Sequence, residues 1–263
     1  MLVIIRGGGD IATGIALRLY RSGMAVVICE TPAPTSIRRT VCFSEAVRQG
    51  TAEVEGVAAR LTDLEGVPGL LGQGVIPVLA DPAGDCISPL SPDVVVDAIL
   101  AKRNLGTHME LAPIVVAAGP GFTAGVDCHA VVETMRGHYL GRVIYDGSAQ
   151  PNTNIPGLIG GYAGERVLRA PADGIFRGVR RIGDHVSCGD VAGYVGDVPM
   201  ACTIGGTLRG LLADGIAVTR GFKCGDVDPR CSPAHCLCAS DKALAIGGGV
   251  LEAILHLRGG KAF

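Results

Sequence analysis

The chain has no tryptophan, and aromatic residues make up only 4% of its 263 residues. It therefore lacks the stacked aromatic side chains on which many nucleic-acid-binding proteins hold bases. Its formal net charge is only −2, which argues against a basic nucleic-acid surface and against an acidic tail. No apolar run reaches the roughly 18 residues of a membrane span, and Met1–Ile5 leads into a glycine turn rather than a signal peptide. We predict a cytoplasmic protein without a nucleic-acid or membrane partner.

Glycine and cysteine are abundant instead, with 40 and 10 copies respectively. Such a glycine content without a collagen period predicts many tight turns and close approaches of the backbone. In a cytoplasmic chain the cysteines are expected to be free thiols rather than a disulfide framework. The cysteines near the C-terminus show no paired C-x-x-C spacing, so we assign them no metal. They are Cys224, Cys231, Cys236 and Cys238, with His235 among them.

Residues 2–30 predict a strand, a glycine turn, an amphipathic helix and a second strand. The motif G-x-G-x-x-A begins at Gly7, and Glu30 ends the second predicted strand, 21 residues after Gly9. This pattern is typical of dinucleotide-binding units, in which the pyrophosphate rests on the helix N-terminus and the acid binds the ribose. The sequence therefore predicts a nucleotide site at this turn.

Two charged residues argue against a phosphate at the same turn. Arg6 is unusual directly before such a glycine motif, and the carboxylate of Asp10 would repel a phosphate. The alternative is a βαβ unit of the same kind that binds no nucleotide, because a fold does not guarantee its ligand.

Other basic and glycine-rich loops are predicted to reach the same edge of the sheet. The β-branched run 93–99 predicts a central strand that leads into basic residues, and the apolar run 113–118 predicts the next strand, followed by Gly-Pro-Gly. Ligands of open α/β sheets bind at the carboxyl ends of the strands, so we predict one crevice there. The alternative for the loop arginines is ordinary solvated charge. The residues predicted to bind a cofactor are Gly7, Gly8, Gly9, Asp10, Glu30, Arg38, Arg39, Lys102, Arg103, Asn104, Gly119, Gly121, Arg136 and His138.

A thiol beside an imidazole follows the Gly-Pro-Gly segment. Cys128 stands between Asp127 and His129, and we predict these three as catalytic residues. A neighbouring cation or a helix N-terminus lowers a cysteine pKa from its usual value near about 8.5 and so favours the thiolate. The alternative is a buried cysteine beside a loop histidine, since adjacent residues of a strand point to opposite faces.

The second half of the chain has a different pattern, which begins after a loop of Pro, Asn and Gly at 149–162. Gly174, Arg177 and Gly178 recur 32 residues later, as do Val186 and Gly189, which predicts two halves of a small β-barrel or sandwich. The segment resembles the biotinyl/lipoyl carrier fold, but the hairpin at 196–200 has no lysine to modify.

These patterns together predict an α/β protein. A Rossmann-like parallel sheet domain is expected at 1–163 and a biotinyl/lipoyl-like barrel-sandwich domain at 164–230. Residues 231–263 are predicted to form a C-terminal segment whose helix, capped by Ser240, returns to the first domain. Three glycines inside that helix, at 247–249, indicate close packing on another backbone or on a ligand.

Several long motifs are similar to those of the YqeB-type accessory proteins of selenium-dependent molybdenum hydroxylases, and the resemblance covers nearly the whole chain. The Rossmann-like part is also distantly similar to the XdhC/CoxI chaperones. The motifs are RGGGDIATG, ETPAPTSIRRTVCFSEAV, VVVDAILAKRNLGT, GPGFTAGVDCHAVVETMRGH, GRVIYDGSAQPNTNIPG, APADGIF and SDKALAIGGGVLEAIL.

The resemblance implies a maturation factor or chaperone for a selenium-dependent molybdenum hydroxylase. Such a protein would bind molybdopterin (the molybdenum cofactor) or a nucleotide in the crevice. From its position and chemistry we predict Cys128 as the carrier of selenium or sulfur. Two alternatives remain open: an NAD(P)-dependent oxidoreductase, and a non-catalytic adaptor that docks the target hydroxylase. Whether the chain is an enzyme and whether it forms a homo-oligomer are left open.

Overall fold

The computed structural model describes residues 1–153 and 155–259, which form two compact units. The first unit contains Met1–Pro34, Cys42–Thr153 and the chain from Ala239 onward. The second contains Thr35–Val41 and the chain that follows Thr153 up to Cys238. The sequence predicts borders at residues 163 and 230. It does not predict that residues 35–41 belong to the second unit.

Nine strands of the first unit form one sheet. In chain order they are β1 (Leu2–Arg6), β2 (Ala25–Glu30), β3 (Thr51–Val54), β4 (Val57–Leu61), β5 (Ile76–Ala80), β6 (Val94–Asp97), β7 (Ile114–Ala118), β8 (Ala130–Val132) and β9 (Val143–Ile144). Their order across the sheet is β3-β4-β5-β2-β1-β6-β7-β8-β9. All neighbouring strands between β4 and β8 in this order, β1 and β2 included, pair in parallel. The edge strands β3 and β9 pair antiparallel with β4 and β8.

Central strands of this sheet are buried along their length. Every residue of β6 and β7 is buried, as is expected of parallel strands that are covered on both faces. The predicted strand, turn, helix and strand of residues 2–30 are confirmed.

Five α-helices accompany the sheet in the part of the chain that the structure describes, and the two longest pack on each other. They are α1 (Asp10–Arg21), α2 (Glu45–Gln49), α3 (Val67–Gly72), α4 (Ile87–Leu90) and α5 (Asp241–Arg258). The Ser240 hydroxyl accepts a hydrogen bond from the Ala243 amide at 3.2 Å, so the predicted cap of α5 is confirmed. A methyl group at Gly247 would lie 2.8 Å from the Gly14 carbonyl oxygen, which shows how closely the α5 and α1 backbones approach. Among the described residues, none of the helices is both long and apolar enough to cross a membrane.

The predicted fold class, a Rossmann-like parallel sheet with a biotinyl/lipoyl-like barrel, is wrong. The large sheet is mixed, with antiparallel strands at both edges. A doubly wound fold carries a helix in its crossovers, whereas the described connection from β6 to β7 contains only a three-residue 3-10 turn, Met109–Leu111. The glycine motif reports on the first βαβ unit alone, and for this reason it misled the prediction for the whole sheet.

The second unit contains two separate four-stranded antiparallel sheets rather than one closed barrel. Their orders are β10-β17-β15-β12 and β14-β13-β11-β16, around a core that includes Phe176, Leu208 and Leu212. The strands are β10 (Val167–Arg169), β11 (Gly174–Gly178), β12 (His185–Val186), β13 (Val191–Val195), β14 (Val198–Ala201), β15 (Gly206–Leu211), β16 (Ala217–Val218) and β17 (Lys223–Asp228).

The internal repeat of the sequence corresponds to an exchange of strands between the sheets. Gly174 of β11 pairs with Val218 of β16, and Gly206 of β15 pairs with Val186 of β12. Each first strand of one repeat thus pairs with the second strand of the other. Gly174 and Gly206 have φ angles of +152° and +154°, which explains why glycine recurs at these equivalent positions.

A buried ion cluster links β15 and β17. Asp226 accepts hydrogen bonds from Arg166 at 2.7 Å and from the Arg209 Nε at 2.9 Å, and all three side chains are largely buried. Asp228 is bound by Arg230 at 2.7 Å and lies 3.4 Å from Arg209. The cluster neutralises charges that would otherwise be costly to bury.

The pH dependence of stability tests the pairing of Asp228. Burial raises the pKa of this carboxyl, but hydrogen bonds from Arg230 and the charges of Arg209 and Arg230 outweigh burial and depress the pKa well below its ordinary value. Such a carboxyl contributes stability above its unfolded pKa of about 3.9, and the contribution is lost as the pH falls toward the folded pKa. When the pH is lowered from about 5 to about 3, we expect the free energy of unfolding in urea to decrease in both proteins. The decrease should be about 1 kcal/mol smaller for Asp228→Asn than for the wild type. Equal losses in both proteins would contradict the assignment.

Candidate functional site

The glycine turn after β1 lies at the carboxyl edge of the sheet, where open α/β sheets bind ligands. Glu30 accepts hydrogen bonds from the Gly8 amide at 2.8 Å and from the Thr31 amide at 2.6 Å. The Ser44 amide donates to the Gly8 carbonyl at 2.9 Å, and a methyl group at Gly8 would lie 3.0 Å from the Ser44 nitrogen. The Gly8 amide and the Glu30 carboxylate, two groups that a dinucleotide would use, are therefore bonded within the chain itself.

Other members of the glycine turn have structural reasons for their identity. Gly7 has a φ of +101°, and a methyl group there would lie 2.8 Å from the Ala98 carbonyl oxygen. Gly9 is the N-cap residue of α1, and Asp10 lies in its first turn, where a carboxylate interacts favourably with the helix dipole. Packing and helix initiation therefore account for this turn without a ligand.

A buried network anchors the loop after β6. The Arg6 Nη1 donates to the Thr107 hydroxyl at 2.5 Å, and that hydroxyl donates to Asp97 at 2.6 Å. Arg6 also donates to the Leu105 carbonyl, and the Ile99 amide donates to Asp97. Burial raises the pKa of Asp97, although these hydrogen bonds and the Arg6 charge oppose the rise. Asp97 thus fixes both ends of the loop.

Asn104 and Asp127 extend this network to the loop after β7. Asn104 exchanges hydrogen bonds of 2.7 Å with the main chain of Thr107, and its amide group also donates to Asp127 at 3.2 Å. Asp127 accepts a further hydrogen bond from the Thr123 amide at 2.7 Å. Both side chains therefore join the two loops to each other.

Two turns at the ends of β6 and β7 lie against each other, and we call them the paired turns: residues 100–103 and 119–122. Leu100 and Lys102 have left-handed φ angles of +59° and +62°, which are uncommon for residues other than glycine. Gly121 has a φ of +108°, and a methyl group there would lie 2.7 Å from the Arg103 nitrogen. The predicted meeting of these basic and glycine segments is therefore present, and Gly119 begins the second turn with a φ of +85°.

Cys128 and His129 lie away from this surface. Cys128 is fully buried, and burial together with the Asp127 charge raises the pKa of its thiol to about 12. The His129 Nδ1 accepts a hydrogen bond from the Val115 amide at 2.9 Å. A buried, protonated thiol is a poor nucleophile, so this geometry gives no support to thiolate chemistry or to selenium transfer at Cys128.

The remaining predicted residues make contacts of their own. Arg136 forms a bidentate pair with Asp241 in the first turn of α5, at 2.6 and 3.0 Å. His138 packs edge-on against Tyr139. Arg38 and Arg39 belong to the second unit, where they donate to main-chain carbonyls, including that of Leu211.

One group of metal-ligating side chains was not predicted from the sequence. The ligand atoms of Cys29, Asp81 and Cys86 lie within 4.8 Å of one another, and the described residues contain no second group of this kind. Hydrogen bonding with Cys29 and burial raise the pKa of the Cys86 thiol. The residues are separated by up to 57 positions, so no local spacing could have revealed them.

Comparison with known proteins gives one close relative. No protein-family model matches the chain. The chain is 54% identical over 257 residues to "Uncharacterized protein YqeB" of Escherichia coli K12, and the match covers 97% of this chain and 48% of that protein. The chain is thus a homologue of YqeB and spans about half of that relative's length.

Solved structures resemble the chain only weakly. An aspartoacylase family protein from Mesorhizobium loti has 11% identity and a TM-score of 0.29, covering 86% of this chain and 84% of its own. A succinylglutamate desuccinylase from Silicibacter has 13% identity and a TM-score of 0.26, with the same coverage of both chains. These TM-scores are too low to support an assignment of acylase or desuccinylase activity to this chain.

The predicted role in maturation of molybdenum hydroxylases is wrong, because the residues expected to carry it are unsuited to it. Cys128, the expected selenium carrier, is fully buried with its thiol pKa raised to about 12, and the Gly8 amide and carbonyl of the expected phosphate turn are bonded to Glu30 and Ser44. The oxidoreductase alternative rested on Glu30, whose carboxylate accepts hydrogen bonds from the Gly8 and Thr31 amides. We therefore pursue neither role, and the site must be interpreted from its own geometry.

Proposed function

We propose that the first unit binds a phosphate-bearing small molecule at the paired turns. The observation that supports this is a set of main-chain N–H groups without acceptors. Within residues 1–153 and 155–259, no acceptor is recorded for the amides of Leu100, Ala101, Arg103, Gly121 and Phe122. Ala101, Arg103 and Gly121 are exposed, so these amides are open to an acceptor from solution, whether water or a ligand.

The backbone conformation of the paired turns favours an anion as that acceptor. In each turn, two residues with a positive φ angle flank one residue whose φ angle is not positive. The central residue is Ala101 in the first turn and Pro120 in the second. Such alternation turns successive N–H groups toward one point and creates a concave anion-binding site. Lys102 and Arg103 are exposed and add two positive charges beside these amides. Phosphate groups suit this combination of amides and cations.

The loops are also held in place before any ligand binds. Asp97, Thr107 and Asn104 fix the first turn, and Asp127 connects it to the loop that follows the second. A rigid site spends less binding energy on ordering its loops. Left-handed residues such as Leu100 and Lys102 cost about 1–3 kcal/mol each, a strain that typically marks ligand sites. A mononucleotide or another phosphate ester is the class of ligand that this arrangement favours.

A charge reversal at Arg103 tests the proposal. We expect Arg103→Glu to weaken binding of pyrophosphate about tenfold or more in isothermal titration calorimetry, because charged hydrogen bonds contribute about 1.5–3 kcal/mol. Arg60→Glu is the matched control, since Arg60 is exposed on β4 of the same unit and its side chain forms no hydrogen bond or ion pair with any residue that the structure describes. The control should retain the wild-type affinity.

A backbone variant separates the turn geometry from net charge. Gly121→Ala places a methyl group 2.7 Å from the Arg103 main chain at a φ of +108°, so it should displace the paired turns and weaken binding with no change in charge. Circular dichroism would establish that each variant is folded. If the wild type binds neither pyrophosphate nor ATP, or if Arg103→Glu and Arg60→Glu bind equally well, the proposal is wrong.

A further inference from the structure

A second cluster at the same edge of the sheet carries different chemistry. Cys29 is the penultimate residue of β2, and Cys86 directly precedes α4. Their sulfur atoms lie 3.2 Å apart, and the Asp81 carboxylate completes a group whose ligand atoms are all within 4.8 Å of one another. Both cysteines are at least nine-tenths buried.

The loop that supplies two of these residues is rigidly organised. Asp81 accepts hydrogen bonds from the amides of Gly84, Asp85 and Cys86, at 2.9 to 3.0 Å. Gly84 has a φ of +81°, which permits the sharp turn that brings Cys86 back toward Asp81. Supporting hydrogen bonds of this kind orient the carboxylate ligands of metal sites.

We propose that Cys29, Cys86 and Asp81 bind a thiophilic divalent metal ion of the zinc type. Two thiolates select such a metal over Mg²⁺ and Ca²⁺, which take oxygen ligands. Sulfur atoms bound to zinc at about 2.3 Å in a tetrahedron lie about 3.8 Å apart, so a sulfur displacement of roughly 0.5 Å completes the site. Binding requires both thiols to release their protons to solvent as the two metal–sulfur bonds form.

The number of protein ligands indicates whether the metal site is structural or open to an exogenous ligand. Three protein ligands leave one tetrahedral position for water or an exogenous group, whereas structural zinc sites are usually closed by four. The same loop lies next to Arg6, since a methyl group at Gly84 would be 3.6 Å from the Arg6 Nε. Arg6 also donates to Leu105 and Thr107 in the loop of the paired turns. Arg6 therefore contacts the loop of the paired turns and lies next to the loop that supplies Asp81 and Cys86.

Cobalt titration of the reduced, chelator-treated full chain tests the metal site. We expect one Co²⁺ per chain with a thiolate-to-cobalt charge-transfer band, displaced by Zn²⁺. Cys29→Ser and Cys86→Ser should each abolish the band. Cys188→Ser is the matched control and should keep it, because Cys188 is an exposed cysteine of the second unit. A band that survives Cys29→Ser and Cys86→Ser would place the metal elsewhere and overturn the proposal.

A measurement on the unaltered protein keeps the proposal testable if a variant does not fold. Zn²⁺ should slow the alkylation of Cys29 and Cys86, mapped by mass spectrometry, and leave the exposed Cys188 and Cys231 equally reactive. No protection, or a Cys29–Cys86 disulfide in protein that takes up no cobalt, would overturn the metal assignment. Neither assay involves a phosphate ligand, so the metal site and the proposed function can fail independently.

Discussion

Replacing Asp226 by alanine is expected to lower the free energy of unfolding of the second unit by about 3–5 kcal/mol. Asp226 and Arg166 are buried and the Arg209 side chain is largely buried, and both guanidinium groups would be left without this carboxylate. An uncompensated buried charge costs far more than the net value of the pair, and this is why the effect should be large. Urea unfolding followed by circular dichroism measures it.

The control for this prediction is an ion pair near the surface of the same unit. Arg180 lies 3.5 Å from Asp190, and both side chains are more than a third exposed. Exposed pairs contribute about 0–1 kcal/mol, so Arg180→Ala should change the unfolding free energy by no more than that. If Asp226→Ala cost as little as Arg180→Ala, the buried cluster would not stabilise the second unit as described.

Local features of the fold could be predicted from the sequence, because neighbouring residues determine them. The first strand, glycine turn, helix and second strand follow from hydrophobic periodicity, and the Ser240 cap follows from a helix-start signal. The mixed character of the large sheet could not be predicted in this way. It depends on how the short edge strands β3 and β9 pair, which no motif of the first unit encodes.

The site was only partly predictable, for the same reason. Sequence reasoning correctly expected Lys102, Arg103 and Gly121 to meet, because successive parallel strands end at one edge. It could not show that Ser44 covers Gly8, because that contact depends on the path of the chain between β2 and α2. It also assigned Arg38 and Arg39 to the sheet edge, although residues 35–41 belong to the second unit.

Two of the three consecutive glycines of α5, Gly248 and Gly249, should respond in opposite directions to the same substitution. A methyl group at Gly249 would overlap the Gly141 carbonyl oxygen and lie 2.8 Å from Val132, so Gly249→Ala should destabilise the first unit by about 3 kcal/mol. Gly248 has no neighbour within 4 Å of such a methyl group, and Gly248→Ala should stabilise the helix by about 1 kcal/mol. Thermal unfolding of the two variants beside the wild type measures both effects. Stabilisation by Gly249→Ala would show that close backbone packing is not the reason for glycine at this position. Stability changes of opposite sign in the two variants would establish that the need for glycine in α5 is set by the packing at each single position.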